Sequence, residues 1–267
     1  MVVTPDYYTA PADPTFTGVR NHALRPIVRL SGVDAAGHSI CAKVHNIRPY
    51  CYASVPIGFP DVESPTVNPH EVVEALERFR YTLNEAVLKK IRKPAVNTRS
   101  HYITEVQLEL NKKSIRGYST NPKPLLKIFS AIPNVIATAR RILEGCEKLD
   151  SKGVPIRNAK LDLFNWDPDS THRSLAIPQR YVVYEANVDF VNRFMIDKGI
   201  KSGGWIRIPA GSYNMYCDSE QNDSLCQIEL DVAHGDIEVL GGDTTSREEQ
   251  RKWAGLAPVR LLSFDIE

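Results

Sequence analysis

The chain has 267 residues, enough for one large domain or two small ones, with an ordinary 42% of apolar and 24% of charged residues. Its formal net charge is +1, so no overall field favours a polyanion and any nucleic-acid surface has to be a local patch. Five cysteines with no C-x-x-C pair argue for a reducing compartment and against a disulfide framework or zinc site.

Residues 1–24 mix prolines and a glycine with polar residues and are expected to form an irregular arm. The opening M-V-V-T-P-D-Y-Y lacks the basic and apolar regions of a signal peptide. No stretch of the chain approaches the roughly 18 apolar residues of a membrane span, so no membrane role is expected. Ile27–Val33 reads as a strand, residues 34–37 as a turn, and Ser39–Ile47 as its antiparallel partner. Tyr50, Tyr52 and Val55 continue a third strand, completing a meander. Asn68 then caps a helix with Pro69 at its first turn. Val72, Val73, Leu76, Phe79, Leu83, Val87 and Ile91 recur at helical spacing, and the helix ends in the basic run of residues 89–93.

Tyr102–Leu110 alternates as a strand, with further pieces at Ile115–Tyr118 and Leu125–Ile132. Pro133 starts a helix over Asn134–Glu144. Strand, helix, strand, strand, helix is the order of a small α/β sandwich. Residues 147–178 are polar and aperiodic and read as a long loop or insertion. Tyr184–Asp197 carries Val188, Val191, Phe194 and Met195 at helical spacing, with Gly199 past its end. On that helix Asp189, Arg193 and Asp197 suit i,i+4 ion pairing. Residues 205–208 and Tyr213–Tyr216 flank Pro209-Ala210-Gly211 as a hairpin, and Cys226–Val232 follows as a strand. Asp243–Lys252 is a polar linker.

The linker leads into Val259–Ile266, an apolar run that reads as a strand buried on both faces. Asp265 and Glu267 alternate about Ile266 and so share one face. Two carboxylates at the end of a buried strand are costly unless compensated, and a pair of hard oxygen donors suits Mg²⁺ or Mn²⁺. The same spacing at Asp61-Val62-Glu63 and Asp236-Ile237-Glu238 falls in turn-like settings.

Nucleotide-binding glycine loops, zincin motifs and the G-x-S-x-G elbow are all absent. The seven histidines are scattered without metal-ligand spacing and read as surface or packing residues. Tyr50 and Tyr52, with Arg48 beside them, form a candidate base-stacking platform, although aromatic strand residues are commonly core.

Several separated motifs together resemble the family B DNA polymerases. Residues 184–190 and 193–197 are similar to a segment just before the exonuclease domain of that family. Residues 205–213, Cys226–Glu229 and Ala257–Glu267 narrow the resemblance to the delta-type catalytic subunits. Residues 32–39, 49–52 and 117–141 look like the same family, so the resemblance covers about 27–146 and 181–267.

What the resemblance implies is an α+β fold. It combines a β-rich, OB-like lobe, an RNA-recognition-like α/β sandwich and the first strand of a ribonuclease-H-like exonuclease domain. Residues 25–256 would form the polymerase N-terminal domain, with an insertion at 147–178, and 257–267 the exonuclease strand. Asp265 and Glu267 would be catalytic Mg²⁺ ligands of a 3′→5′ exonuclease. The partners would be DNA, the rest of a polymerase chain and accessory subunits, in the nucleus. The fragment alone is expected to bind template strand but neither to polymerise nor to degrade DNA, since the family's other metal carboxylates lie downstream of Glu267. A free-standing single-strand-binding module using Arg48, Tyr50 and Tyr52, and a small complete metal-dependent nuclease, are the alternative readings.

Overall fold

The computed structural model describes residues 1–18, 23–56, 59–61, 68–91, 102–112, 122–149, 155–157, 181–216, 223–243 and 245–259. In chain order the elements open with β1 (Val2–Pro11), α1 (Pro14–Thr17), β2 (Leu24–Val33), β3 (Ser39–His45) and β4 (Tyr50–Ser54). They continue with α2 (Pro69–Lys90), β5 (Ile103–Lys112), β6 (Lys123–Ser130), α3 (Pro133–Leu143), β7 (Cys146–Leu149), β8 (Pro155–Arg157) and β9 (Val183–Tyr184). The last are α4 (Phe190–Lys198), β10 (Trp205–Arg207), β11 (Tyr213–Tyr216), β12 (Ile228–Ala233), β13 (Glu238–Leu240) and α5 (Arg247–Lys252). Among the described residues no helix is long and apolar enough to cross a membrane. Two compact units form: residues 1–47 with 189–267, and residues 48–188.

The first unit is built on a mixed five-stranded sheet in the order β1-β2-β3-β12-β11. The segment expected to be an irregular arm is instead its first edge strand. β1 runs antiparallel to β2, with Asp6 opposite Arg29 and Tyr7 opposite Val28. Its prolines are tolerated because an edge strand can lack donors on one side. The sheet is open, with edges at β1 and β11. The expected OB-like lobe is thus observed as an open sheet, not a closed barrel.

Alternation gives this sheet two unlike faces. Val28, Leu30, Ala42, Val44, Leu230 and Val232 pack with Phe190, Val191, Phe194 and Met195 of α4 in one core. Arg29, Lys43, His45, Glu229 and Asp231 occupy the alternate positions and the opposite face. Toward the β11 edge, the apolar face also lines a cavity of about 530 Å³ beside Met1, Trp205, Tyr213 and Trp253.

Three further expectations are corrected in this unit. β10 and β11 do not pair with each other: β10 pairs with β13 and β11 with β12. Alternation within a short stretch marks a strand but carries no information about its partner. The helix expected over Tyr184–Asp197 begins only at Phe190. Tyr184 belongs to β9, and Glu185 takes a left-handed backbone (φ 59°) that no helix continues through. Asp189 is the N-cap, accepting from the N–H groups of Val191 and Asn192 at 3.0 and 3.1 Å, while Arg193 faces Asp197 at 3.9 Å. Gly199 ends α4 in the left-handed conformation, as its position predicts. The polar linker 243–252 contains α5, capped by Ser246.

The second unit carries a four-stranded sheet in the order β5-β6-β4-β9, every neighbouring pair antiparallel. The strand expected to complete the meander with β2 and β3 therefore lies at the centre of a different sheet. Asn46, at φ 62°, bends the chain after β3 and ends that hairpin's run. Both α2 and α3 cover one face of the sheet. Phe79, Leu83 and Val87 of α2 and Val135, Ile136, Ala139 and Ile142 of α3 pack on Cys51, Ala53, Val106, Leu126 and Ile128. Asn68 caps α2 as expected, its side chain accepting from His70 N at 3.0 Å. Within the expected loop 147–178, β7 and β8 form a small antiparallel pair. Residues 115–118, expected as a strand, lie outside the described residues.

Candidate nucleic-acid interface

The β4 alternation that sends Cys51 and Ala53 to the helices sends Tyr50 and Tyr52 to the face turned away from them. β6 does the same: Leu126 and Ile128 join the core, and Lys127 and Phe129 take the other side. The register sets Tyr50 opposite Phe129 and Tyr52 opposite Lys127. On β5, Glu105, Gln107 and Glu109 alternate with Val106 and Leu108 and face the same way. The sequence pairs Tyr50, Tyr52 and Arg48; the sheet adds Phe129, Lys127, Lys112, Glu105 and Glu109. Their signals were the alternations Leu126-Lys127-Ile128-Phe129 and Glu105-Val106-Gln107-Leu108-Glu109, which read from sequence only as strand patterns.

Three rings form the floor of this face. Tyr50 meets Tyr52 edge-on with centroids 5.6 Å apart and Phe129 at 5.8 Å. Each ring carries a cation: Arg48 Cζ lies 4.1 Å from the Phe129 centroid, Lys127 Nζ 4.4 Å from Tyr50 and Lys112 Nζ 4.5 Å from Tyr52. Arg48 is ion-paired with Glu105. Lys127 Nζ reaches Glu109 at 3.0 Å, and the Tyr52 hydroxyl donates to the same carboxylate at 3.1 Å. Tyr50 is half-buried, whereas Tyr52 is only 2% exposed. Burial, and then the Glu109 charge, push the Tyr52 hydroxyl far above its usual pKa. Burial opposes ionisation of Glu105, but hydrogen bonds from Gln107 and Arg48 outweigh it and hold that carboxyl below its ordinary range. Tyr52 as it stands offers no open ring; Tyr50 and the cation layer are what a ligand would meet.

A second polar group lies in the first unit, on the face of the five-stranded sheet opposite α4. His45 Nε2 lies 2.9 Å from Asp231 Oδ1, and the other oxygen of Asp231 accepts from the Tyr216 hydroxyl. Lys43 pairs with Glu229 and, at 2.7 Å, with Asp223. Ser224 adds two hydrogen bonds to Glu229, from its backbone N–H and its hydroxyl. All four of Lys43, His45, Glu229 and Asp231 are buried. Each charge here has an internal partner, the arrangement of a structural network rather than of a site awaiting a substrate. His45, one of the scattered histidines, is held in this network under the stacked ring of Phe16.

Asp265 and Glu267 lie outside the described residues, as do Leu261, Leu262, Phe264 and Ile266 before them; Val259, the expected start of the buried strand, is in no strand and is 41% exposed. The segment leading to them runs along the first unit: the Trp205 indole donates to Gly255 O at 2.7 Å, and Ala257 N–H to Met1 Sδ at 3.4 Å. In the other D-I-E copy, Asp236 closes a 3₁₀ turn and Glu238 is ion-paired with Arg207. Among the described residues no group of three or more His, Cys, Asp or Glu could hold a metal ion.

Residues 46–137 match the model of the DNA polymerase delta catalytic subunit-like N-terminal domain, and residues 181–267 that of the family B DNA polymerase exonuclease domain. The DNA polymerase delta catalytic subunit of Bos taurus is 33% identical over 98% of this chain and 20% of its own length. That of Mesocricetus auratus is 32% identical over 91% and 18%. A solved family B DNA polymerase from Pyrobaculum calidifontis overlays on 86% of this chain and 20% of its own, with TM-score 0.43 and 17% identity. The chain thus spans about a fifth of the length of the curated relatives it matches. On the sequence matches, which run through both units in the order of the family's own domains, the chain belongs to the delta-type catalytic subunits of the family B DNA polymerases.

Proposed function

We propose that this chain is the N-terminal part of a replicative DNA-directed DNA polymerase with a 3′→5′ proofreading exonuclease, acting in the nucleus with accessory subunits. Its own contribution is to bind unpaired template strand on the face of the β5-β6-β4-β9 sheet turned away from α2 and α3. The observation that carries this is the cluster of Tyr50, Tyr52 and Phe129 beneath Arg48, Lys112 and Lys127. A β-α-β-β-α-β unit with aromatic residues on its open face is also how RNA-recognition-like sheets stack bases. Cations track phosphates and rings take bases, a pairing that suits single strands of any sequence.

The experiment is titration of a fluorescent oligodeoxynucleotide at two salt concentrations. Arg48→Gln should weaken binding and lower the salt slope by about 0.7, the value for one phosphate contact on a single strand. Tyr50→Ala should cost about 1–3 kcal/mol, the worth of one stacked base. Binding that ignores both changes would remove this face from the template path.

Asp265 and Glu267 are proposed as ligands for Mg²⁺, since two hard carboxylates two residues apart in sequence supply the kind of donor such an ion takes. When bound, the ion would supply charge stabilisation for phosphodiester cleavage. Manganese titration followed by electron paramagnetic resonance should detect a site lost in Asp265→Asn and Glu267→Gln. Identical curves for the parent chain and both variants would count against it.

A further inference from the structure

We infer that Glu105 and Glu109 form an electrostatic gate over the aromatic face of the second unit, which a phosphodiester single strand opens by taking their cations. This inference rests on the reading of that face as a single-strand site and adds the residues that control access to it.

The rings are blocked by the protein's own side chains. Tyr52 and Phe129 are 2% and 6% exposed, and the cations above them occupy the ring faces that a base would use. Two of the three cations, Arg48 and Lys127, are held down by carboxylates of one strand. Glu105 and Glu109 stand four residues apart on β5, an edge strand, with Gln107 between them donating to Glu105 at 2.5 Å. Glu105 binds Arg48, and Glu109 binds both Lys127 and the Tyr52 hydroxyl. Glu185 adds further negative charge near Tyr52.

Two features make this layer movable. The Arg48–Glu105 pair is 44% and 38% exposed and the Lys127–Glu109 pair 20% and 33%, so these are ion pairs that water and salt compete for. Arg48, Lys112 and Lys127 also have long flexible stems that can swing outward with no change in the sheet. A phosphate offers each cation the same charge-assisted bond that a carboxylate now supplies. Once the cations follow the phosphates outward, the ring faces of Tyr52 and Phe129 are uncovered for bases. The carboxylates therefore act as competitors of the ligand, and their removal should strengthen binding. A purely structural ion pair would not have that sign.

The test uses the 267-residue chain with Glu105→Gln, Glu109→Gln and the double variant, titrated with fluorescein-labelled oligo-dT at two salt concentrations. Urea unfolding of each variant checks that the fold persists. Affinity should rise about two- to fivefold per carboxylate removed, the range of an exposed ion pair expressed as a binding ratio. Lys127→Met should weaken binding in both the parent and the double variant. Unchanged or lower affinity in folded carboxamide variants, with Tyr50→Ala still weakening the parent, would overturn the gate and leave the face as a binding site. If Tyr50→Ala and Arg48→Gln also change nothing, the face itself is not the site.

Discussion

Lys43 and Glu229 concentrate the electrostatic cost of the first unit. Glu229 is fully buried and Lys43 is 6% exposed, so each charge depends on the other for the solvation it has lost. Lys43→Met should therefore cost about 3–5 kcal/mol by urea unfolding, because it strands a buried carboxylate. The double change Lys43→Met with Glu229→Leu should recover much of that loss. The pH dependence follows from the same group. Burial disfavours the Asp231 and Glu229 carboxylates, but bonds from His45 and Tyr216, and from Lys43 and Ser224, hold both below their ordinary values of 3.8 and 4.5. A depressed carboxyl stabilises the fold fully above its ordinary pKa and loses that contribution as pH falls through its folded value. Lys43 is raised above 10.5 despite burial, by Asp223 and Glu229, and Tyr216 is pushed up to about 12 by its bond to Asp231. Their contributions are complete below their ordinary values and fall away as pH rises further. Melting temperature should thus hold between about pH 5 and 9 and drop on both sides, and Asp231→Asn should blunt the acid limb.

At the scale of the element, α2 shows which part of an apolar pattern carries energy. Ala75, Phe79, Leu83 and Val87, four residues apart, are its buried stripe, while Val73 is 58% exposed. Phe79→Ala should cost about 3–5 kcal/mol and Val73→Ala stay within about 0.5 kcal/mol, both read from urea midpoints. The cap, the first-turn proline and the basic last turn of α2 were legible in sequence because they answer needs local to the helix ends. α4 was legible only in part. The apolar spacing of Val188 suggested a helix from Tyr184, six residues before its observed start, but Asp189 satisfies the N–H groups that open the helix, and the left-handed Glu185 cannot continue the turn.

For the molecule as a whole, the second unit is continuous in sequence and the first is not. Residues 48–188 expressed alone should fold, since β4, β5, β6 and β9 and both covering helices lie within them. Residues 1–47 alone should not, because β3 takes β12, from the other end of the chain, as a parallel neighbour. Circular dichroism and thermal melts of the two fragments check this. A cooperative melt from 1–47, or none from 48–188, would show that the division is wrong.

The sequence by itself determined the strands at 27–33, 39–47, 50–55, 102–110 and 125–132, the helices starting at residues 69 and 133, and the family. Periodicity and end-capping are local, and separated motifs in order identify a lineage. Only the tertiary structure decided which strands meet. β1 joined the sheet that residues 1–24 were not expected to enter, β4 left the meander for the second unit, and β10 and β11 took different partners. Pairing is settled by which apolar faces can be buried together, and that depends on residues far apart in the chain, such as Val44 and Val232 on the parallel neighbours β3 and β12. Arg48, Tyr50 and Tyr52 were visible as neighbours on one strand. Phe129, Lys127 and Glu109, which cover and tie them, became neighbours only when the sheet brought three strands side by side.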